Sequence, residues 1–408
     1  MTDPIARNIW RYQLFTAISF MPIMLPVIVL FWQENGLDMF QVYLLQSIFA
    51  LGMVILEIPT GMIADRLGKR TSLIFAMSIM TIGLVVYAVG SSFWVFLLAE
   101  LVLSLGISLL SGADSALLYD TLNHLGRQDD YQRIEGRARA IQMVVFALAN
   151  LLGGAIGEFS YRATIWATAI GPFVGLILAI GFVEVNQPAP SESYRAAFKA
   201  YRELIRSSFT FVRKHQFVRW QVLFLGVTTT SGAWLLWLYQ PYMELSHLPV
   251  WGFGAAFAIF NLYAAGASHV AHHVETRLGR NGVIMLFIIL QVSPLILMGL
   301  VITPLSFLFI LGHQTVRGMS RPIISDWILR YTYADKRATI LSISSMGSRL
   351  FFALTSPLIG WIAAKTTLPV TLYFQAVFLV VLFGVLVTIY QRIPEKYFHV
   401  KDTVKEKH

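Results

Sequence analysis

A chain of 408 residues that is 56% hydrophobic and only 13% charged has too few polar side chains to cover a soluble globule, and with no cysteine it forms no disulfide and no thiolate metal site. The net charge of +9 does not call for a nucleic-acid partner, because the basic residues sort by side of a membrane. The apolar residues gather into roughly twelve runs near twenty long, the length at which a helix crosses about 30 Å of hydrocarbon.

In chain order the predicted spans are 10–31, 41–64, 72–90, 93–118, 140–157 and 163–183, then 220–241, 251–274, 283–302, 304–330, 339–362 and 369–391. No small-residue cleavage pattern interrupts the first run, so it is expected to stay in the mature chain rather than leave as a signal peptide. Between the sixth and seventh runs, Glu184 to Arg219 breaks the rhythm at Asn186-Gln187-Pro188-Ala189-Pro190-Ser191. It then turns basic and amphipathic through Tyr194, Phe198, Tyr201, Leu204 and Ile205. That pattern predicts a cytoplasmic linker with a helix lying on the membrane surface. The expected organisation is an N-terminal six-helix bundle over 1–183, the linker over 184–219, a C-terminal six-helix bundle over 220–391 and a cytoplasmic tail over 392–408.

With the N-terminus inside, Arg7, Arg11, Arg66, Lys69, Arg70, Arg127, Arg133, Arg137, Arg139, Arg277, Arg280, Lys336, Arg337, Arg392 and the basic linker fall on one side. Only Arg162 and Lys365 fall in loops on the other. Both termini are therefore expected in the cytoplasm, with the chain in a bacterial inner membrane.

The two halves show weak internal similarity, as in repeat-built transporters. Gly61-Met62-Ile63-Ala64-Asp65-Arg66-Leu67-Gly68-Lys69-Arg70 follows the second span, and His272-His273-Val274-Glu275-Thr276-Arg277-Leu278-Gly279-Arg280 follows the eighth. Both loops share an Arg-Leu-Gly-basic core. Gly112 and Asp120 also have the spacing of Gly318 and Asp326.

The Gly61 to Arg70 stretch resembles the loop motif of the major facilitator superfamily between its second and third helices, and the likeness extends over essentially the whole chain. The resemblance implies an all-α membrane protein of twelve transmembrane helices in two pseudo-symmetric six-helix bundles. It further implies that Gly61 lets helices approach closely, that Asp65 sits near a helix N-terminus, that Arg66 or Arg70 pairs with Asp120 to latch the cytoplasmic side, and that Gly68 belongs to the same gate motif. Two features depart from the drug-exporting branch. No arginine stands in Glu100-Leu101-Val102-Leu103-Ser104-Leu105-Gly106, and Ala149-Asn150 precedes Leu151-Leu152-Gly153-Gly154 where a glycine-proline element is common.

Ionisable groups inside a bilayer cost about 2.5–3.5 kcal/mol on insertion scales and usually face a cavity or a partner. Asp114, set among small residues, is the first candidate for proton coupling, followed by Glu57. Glu100, nearer the outer face, is the third candidate or else simply wet. His313, Arg317 and Arg321 recur every four residues on one stripe of the tenth span, and Arg349 lies well inside the eleventh. These groups either line a cavity that attracts a carboxylate or phosphate on a solute, or hold salt bridges to Glu57, Glu100 or Asp114. Trp234, Trp237 and Tyr239 either stack on an apolar solute or form an interfacial belt. His269, His272 and His273 share a helix face, but no carboxylate or thiol stands among them, so solvated helix-end histidines are expected and no metal.

No glycine-rich stretch ends in Lys-Ser or Lys-Thr, so nucleotide hydrolysis is not the expected energy source. The function that follows is secondary active transport of a small amphipathic organic solute by alternating access, as proton-coupled efflux, with neither cofactor nor metal. An organic-anion carrier using Arg317 and Arg349, in either direction, is the alternative. A non-transporting receptor or scaffold signalling through the linker is a further one. No nucleophile, base and orienting group stand at helical spacing, so an enzyme is not expected. The partners expected are a small-molecule substrate, protons and membrane lipids; the fold needs no second subunit, and a monomer is expected.

Overall fold

In a computed structural model, residues 4–185, 203, 206–333 and 336–394 are described, apart from the side chains at 58 and 62–65. The expected surface helix through Tyr194, Phe198, Tyr201, Leu204 and Ile205 lies outside the described residues, as does the side chain of Asp65. Among the described residues every regular element is helical. They are α1 (Arg7–Ile18), α2 (Ile28–Glu34), α3 (Met39–Leu67), α4 (Lys69–Val89), α5 (Phe93–Leu110), α6 (Ala113–His124), α7 (Tyr131–Gly157), α8 (Tyr161–Gly181), α9 (Gln216–Leu236), α10 (Tyr239–Leu245), α11 (Val250–Leu300), α12 (Ile310–Arg330), α13 (Arg337–Lys365) and α14 (Leu368–Gln391). They group into two compact units, Met1–Ser191 with Leu248–Asn261, and Glu192–His247 with Leu262–His408.

Eight of the described helical spans are long and apolar enough to cross a membrane, or nine when Gln216–Leu236 and Tyr239–Leu245, bent by 45°, count as one. The twelve predicted spans are consistent with this once the breaks are understood. Helix α11 runs 51 residues and contains Gly279 at φ 64° and ψ 178°, which is not helical. At 1.5 Å per residue it is about 75 Å long, more than twice the hydrocarbon layer, so it supplies the two predicted spans that meet near Gly279. The predicted span 10–31 is divided between α1 and α2, with Pro22 and Pro26 in the non-helical stretch between them. Gly153 on α7 and Gly171 on α8 lie against the backbone carbonyls of Ile23 and Ile18, so this irregular stretch is covered by protein where lipid cannot satisfy it. The span 93–118 breaks at Gly112, in the left-handed region at φ 81°, and resumes as α6.

In the first unit α4 packs between α5 and α8, and α3 lies against α5. The start of α11 joins this unit because Gly154 and Gly254 let two backbones meet: a Cβ on Gly154 would stand 2.6 Å from the carbonyl oxygen of Trp251. Glu158 accepts a hydrogen bond from the Trp251 amide at 3.1 Å. In the second unit α9 packs on α12, α13 and α14, and its Trp220 indole donates to the Leu386 carbonyl at 2.7 Å. Trp32, Trp220, Trp234 and Trp327 are fully buried, whereas Trp94, Phe159, Leu354 and Val377 are exposed. This inversion of a soluble surface fits lipid as the outer solvent, where packing rather than hydrophobicity joins the helices.

The Arg-Leu-Gly-basic repeat is visible as backbone geometry. Gly68 adopts φ 87° and ψ 155°, closely matching Gly279, and each sits where one long helix ends and the next begins. That region is open essentially to glycine alone. Alanine at Gly68 is therefore expected to cost about 1–3 kcal/mol, seen as a lower apparent melting temperature of the detergent-purified protein. Alanine at Gly136, a helical position where a Cβ meets nothing within 4 Å, should instead raise it slightly, since glycine inside a helix costs about 0.5–1 kcal/mol relative to alanine.

Candidate functional site

A cavity of about 410 Å³ opens in the second unit between α9, α10, α11 and α12. Helix α12 supplies most of its polar wall, because residues four apart stack on one helical face. His313, Arg317 and Arg321 all line it, as the sequence spacing predicts, together with Gln314 and Ser320. Arg317 and Arg321 are both exposed within the opening, and no Asp or Glu is among the lining residues.

His313 is buried at 3% exposure, and its Nε2 lies 2.8 Å from the backbone oxygen of Gln291. A carbonyl only accepts, so Nε2 carries the hydrogen and donates. The Gln314 amide donates to the Tyr239 hydroxyl at 2.9 Å, and the Ser231 hydroxyl donates to Gln291 Oε1. These bonds leave Gln291 Nε2 and Gln314 Oε1 buried with no partner among the described residues, one donor and one acceptor on residues that line the cavity. Buried polar atoms are rarely left so, and these two offer hydrogen bonds to a polar guest. The sequence reading missed Gln291, Gln314, Thr228 and Thr229. The available signal was an uncharged amide in the midst of an apolar run, as in Ile289-Leu290-Gln291-Val292, which is costly unless it has a partner.

Three expected members stand elsewhere. Arg349 is half-buried on α13 and does not line the cavity. Trp234 is fully buried between Phe351 and Phe378, with ring centroids at 6.0 and 5.5 Å, so it belongs to helix packing rather than solute contact. Trp237 caps the C-terminus of α9 at the bend into α10, again outside the lining.

The first unit holds the carboxylates. Asp114 opens α6, where the helix dipole favours a negative charge, and its Oδ2 is 3.2 Å from Arg139 Nη2 of α7. Arg139 also donates to Glu135 at 2.9 Å, and Glu135 accepts from the Tyr12 hydroxyl of α1. Asp114 is thus held in a local network within the first unit. Glu100 is not wet: it is 5% exposed and receives hydrogen bonds from Gln46 at 2.8 Å and Tyr87 at 2.9 Å. Glu57 is half-buried on α3, two residues before Pro59.

At the loop motif the pairing is redistributed. Asp120 pairs with Lys69, not with Arg66 or Arg70. Arg70 donates its backbone amide to Glu184 at 2.8 Å and its guanidinium to the Ile180 carbonyl at 2.9 Å. The turn at Gly68 explains this, since it starts α4 with Lys69 toward α6. Arg66 is half-buried at the end of α3. A Cβ on Gly61 would meet nothing within 4 Å, so the close approach expected there is not made among the described residues. Asp326 pairs with Arg330 on its own helix at 2.5 Å. His269, His272 and His273 are exposed, and no group of three potential metal ligands converges among the described residues.

The Asp114 and Arg139 pair lends itself to a double-mutant cycle with Asp114→Asn and Arg139→Gln. Unfolding measurements should give a coupling of about 0.5–3 kcal/mol, and additive effects would show that the contact contributes nothing.

A family model described as Major Facilitator Superfamily matches residues 13–328. The drug efflux pump JefA of Mycobacterium tuberculosis is 23% identical over 209 residues, which is 50% of this chain and 40% of JefA. The quinolone resistance protein NorA of Staphylococcus aureus is 22% identical over 180 residues, covering 44% of this chain and 45% of NorA. The aligned stretch therefore spans less than half the length of either relative. Among solved structures, a mutant form of the nucleoside transporter NupG superposes with a TM-score of 0.79 at 13% identity, covering 94% of this chain and 100% of that one. At that identity the likeness concerns the fold alone.

Proposed function

Because the chain belongs to the Major Facilitator Superfamily, we propose that it is a secondary active transporter of the bacterial cytoplasmic membrane, moving a small amphipathic organic solute outward in exchange for protons. The observation that carries this reading is the cavity of the second unit. It combines apolar wall from Ala233, Leu236 and Val316 with two arginines and two unsatisfied amide atoms. Binding sites for organic solutes have this character, a mostly apolar hollow with a few placed polar groups. The names of JefA and NorA, efflux pump and drug resistance protein, favour the outward direction. Protons are the proposed coupling ion because the first unit holds carboxylates within spans, Glu100 buried and Asp114 half-buried. Both termini face the cytoplasm in this reading, following the distribution of Lys and Arg. The transporter acts as a monomer, alternating access through rearrangement of its two units.

The arginines support a second reading, in which the solute is an organic anion. A guanidinium binds a carboxylate through two parallel hydrogen bonds, and among the described residues of the lining Arg317 and Arg321 carry the positive charge while no Asp or Glu stands beside them. Proteoliposomes enclosing a pH indicator, given ethidium as a lipophilic cation and fluorescein as an amphipathic anion, test both. Proton movement on addition of a probe is the expected result, and its absence for every solute offered would overturn proton-coupled transport. Arg317→Gln should weaken apparent affinity for fluorescein about tenfold or more, the loss of roughly 1.5–3 kcal/mol from a charged hydrogen bond, and change ethidium little. Equal loss for both probes would remove the anion reading.

A further inference from the structure

Three carboxylates of the first unit fall within the spans predicted from sequence, and they are held in different ways that separate them by task. Asp114 meets the guanidinium of Arg139 at 3.2 Å, so its negative charge is compensated in place. Glu57 is only half-buried. Glu100 is 5% exposed, eight residues into α5 and about 10 Å along the helix from its start.

Every hydrogen bond to Glu100 comes from a neutral group. Gln46 Nε2 of α3 reaches Oε1 at 2.8 Å, and the Tyr87 hydroxyl of α4 reaches the same oxygen at 2.9 Å. Trp32 Nε1 of α2 donates to the Tyr87 oxygen at 2.7 Å, which leaves the Tyr87 proton no role but to point at the carboxyl. Both donors thus converge on Oε1, and among the described residues none donates to Oε2. Arg162 of α8 is the cation at this end of the unit, but its guanidinium is committed to the Gly90 carbonyl at 2.8 Å and to Asn35 at 3.1 Å, and lies over the Phe31 ring. Among the described residues it makes no ion pair with Glu100. Of the titratable groups on these elements, Tyr87 donates to Glu100 and Arg162 is bonded elsewhere, while Glu34 of α2, Tyr43 and Glu57 of α3, Lys69 and Arg70 of α4 and Tyr161 of α8 stand on the same helices.

We infer that Glu100 is the group that takes up and releases the coupling proton, with Oε2 as the protonated oxygen and Trp32, Tyr87 and Gln46 holding Oε1 in place. The proton arrives from water on Oε2 and returns to water, and no other bond changes. Protonated and ionised forms both keep the two hydrogen bonds to Oε1, so the proton can exchange without unpacking four helices. Asp114, first in the sequence reading, becomes an electrostatic brace. The inference rests on the proton-coupled reading above, and it deepens that reading by naming the residue.

Two readouts test it. Infrared difference spectra of the purified protein between acidic and alkaline pH should contain a protonated-carboxyl band that is lost in Glu100→Gln. A spectrum unaffected by the substitution overturns the inference whatever the solute is. In proteoliposomes with fluorescein, E100Q should retain counterflow, which needs no net proton movement, and lose transport driven by a pH gradient. Glu100→Asp, which restores a carboxyl, should recover gradient-driven transport. E100Q that is still driven by the gradient overturns the assignment, and so does E100Q that loses counterflow as well, since the residue would then serve the scaffold. Wild-type protein that exchanges fluorescein while moving no protons removes the proton-coupled reading instead, and the infrared result separates the two failures.

Discussion

Lipid gives nothing to a polar group, and that single constraint arranges most of what is seen in this protein. Backbone N–H and C=O groups must be satisfied inside the chain, so the spans are helices, and the irregular stretch between α1 and α2 runs against α7 and α8 rather than against hydrocarbon. Side chains obey the same rule. Several charges at or near the spans of the first unit are matched within that unit: Asp114 by Arg139, Asp120 by Lys69, Arg162 by backbone carbonyls. At Gln291 and Gln314 the unsatisfied atoms belong to residues that line a cavity, where a guest or water can supply what lipid does not, whereas the buried amide of Gln221 stands outside that lining.

The two loops that carry the Arg-Leu-Gly-basic repeat show how one backbone device serves different chemistry. Gly68 and Gly279 share a positive φ and turn one long helix into the next. After Gly68 the basic residues meet acids and carbonyls, with Lys69 on Asp120 and the Arg70 amide on Glu184. After Gly279, Arg280 lies over Phe217 at 4.7 Å and bonds the Tyr331 hydroxyl at 3.2 Å. The two turns share a backbone geometry that essentially only glycine meets, while their side-chain partners differ.

Polar chemistry is likewise divided between the units. The first buries carboxylates in hydrogen-bond networks spanning several helices; the second opens arginines and amides into a cavity. Proton handling and solute binding in this reading fall to different units, each with a core of its own.

The sequence by itself determined the solvent, the helical class, the approximate positions of the spans and the repeated glycine turn. It also placed His313, Arg317 and Arg321 on one face, because helix period and hydrocarbon thickness are local quantities. The tertiary structure decided everything that depends on which helix stands beside which. It took Asp114 to Arg139, Asp120 to Lys69 and Trp234 into the packed core, and it joined Gln46, Tyr87 and Trp32 to Glu100 from three other elements. Those partners lie between 13 and 68 positions from Glu100, or are separated from their acids by a whole helix, and one strand of sequence carries no record of the distance between side chains on different helices.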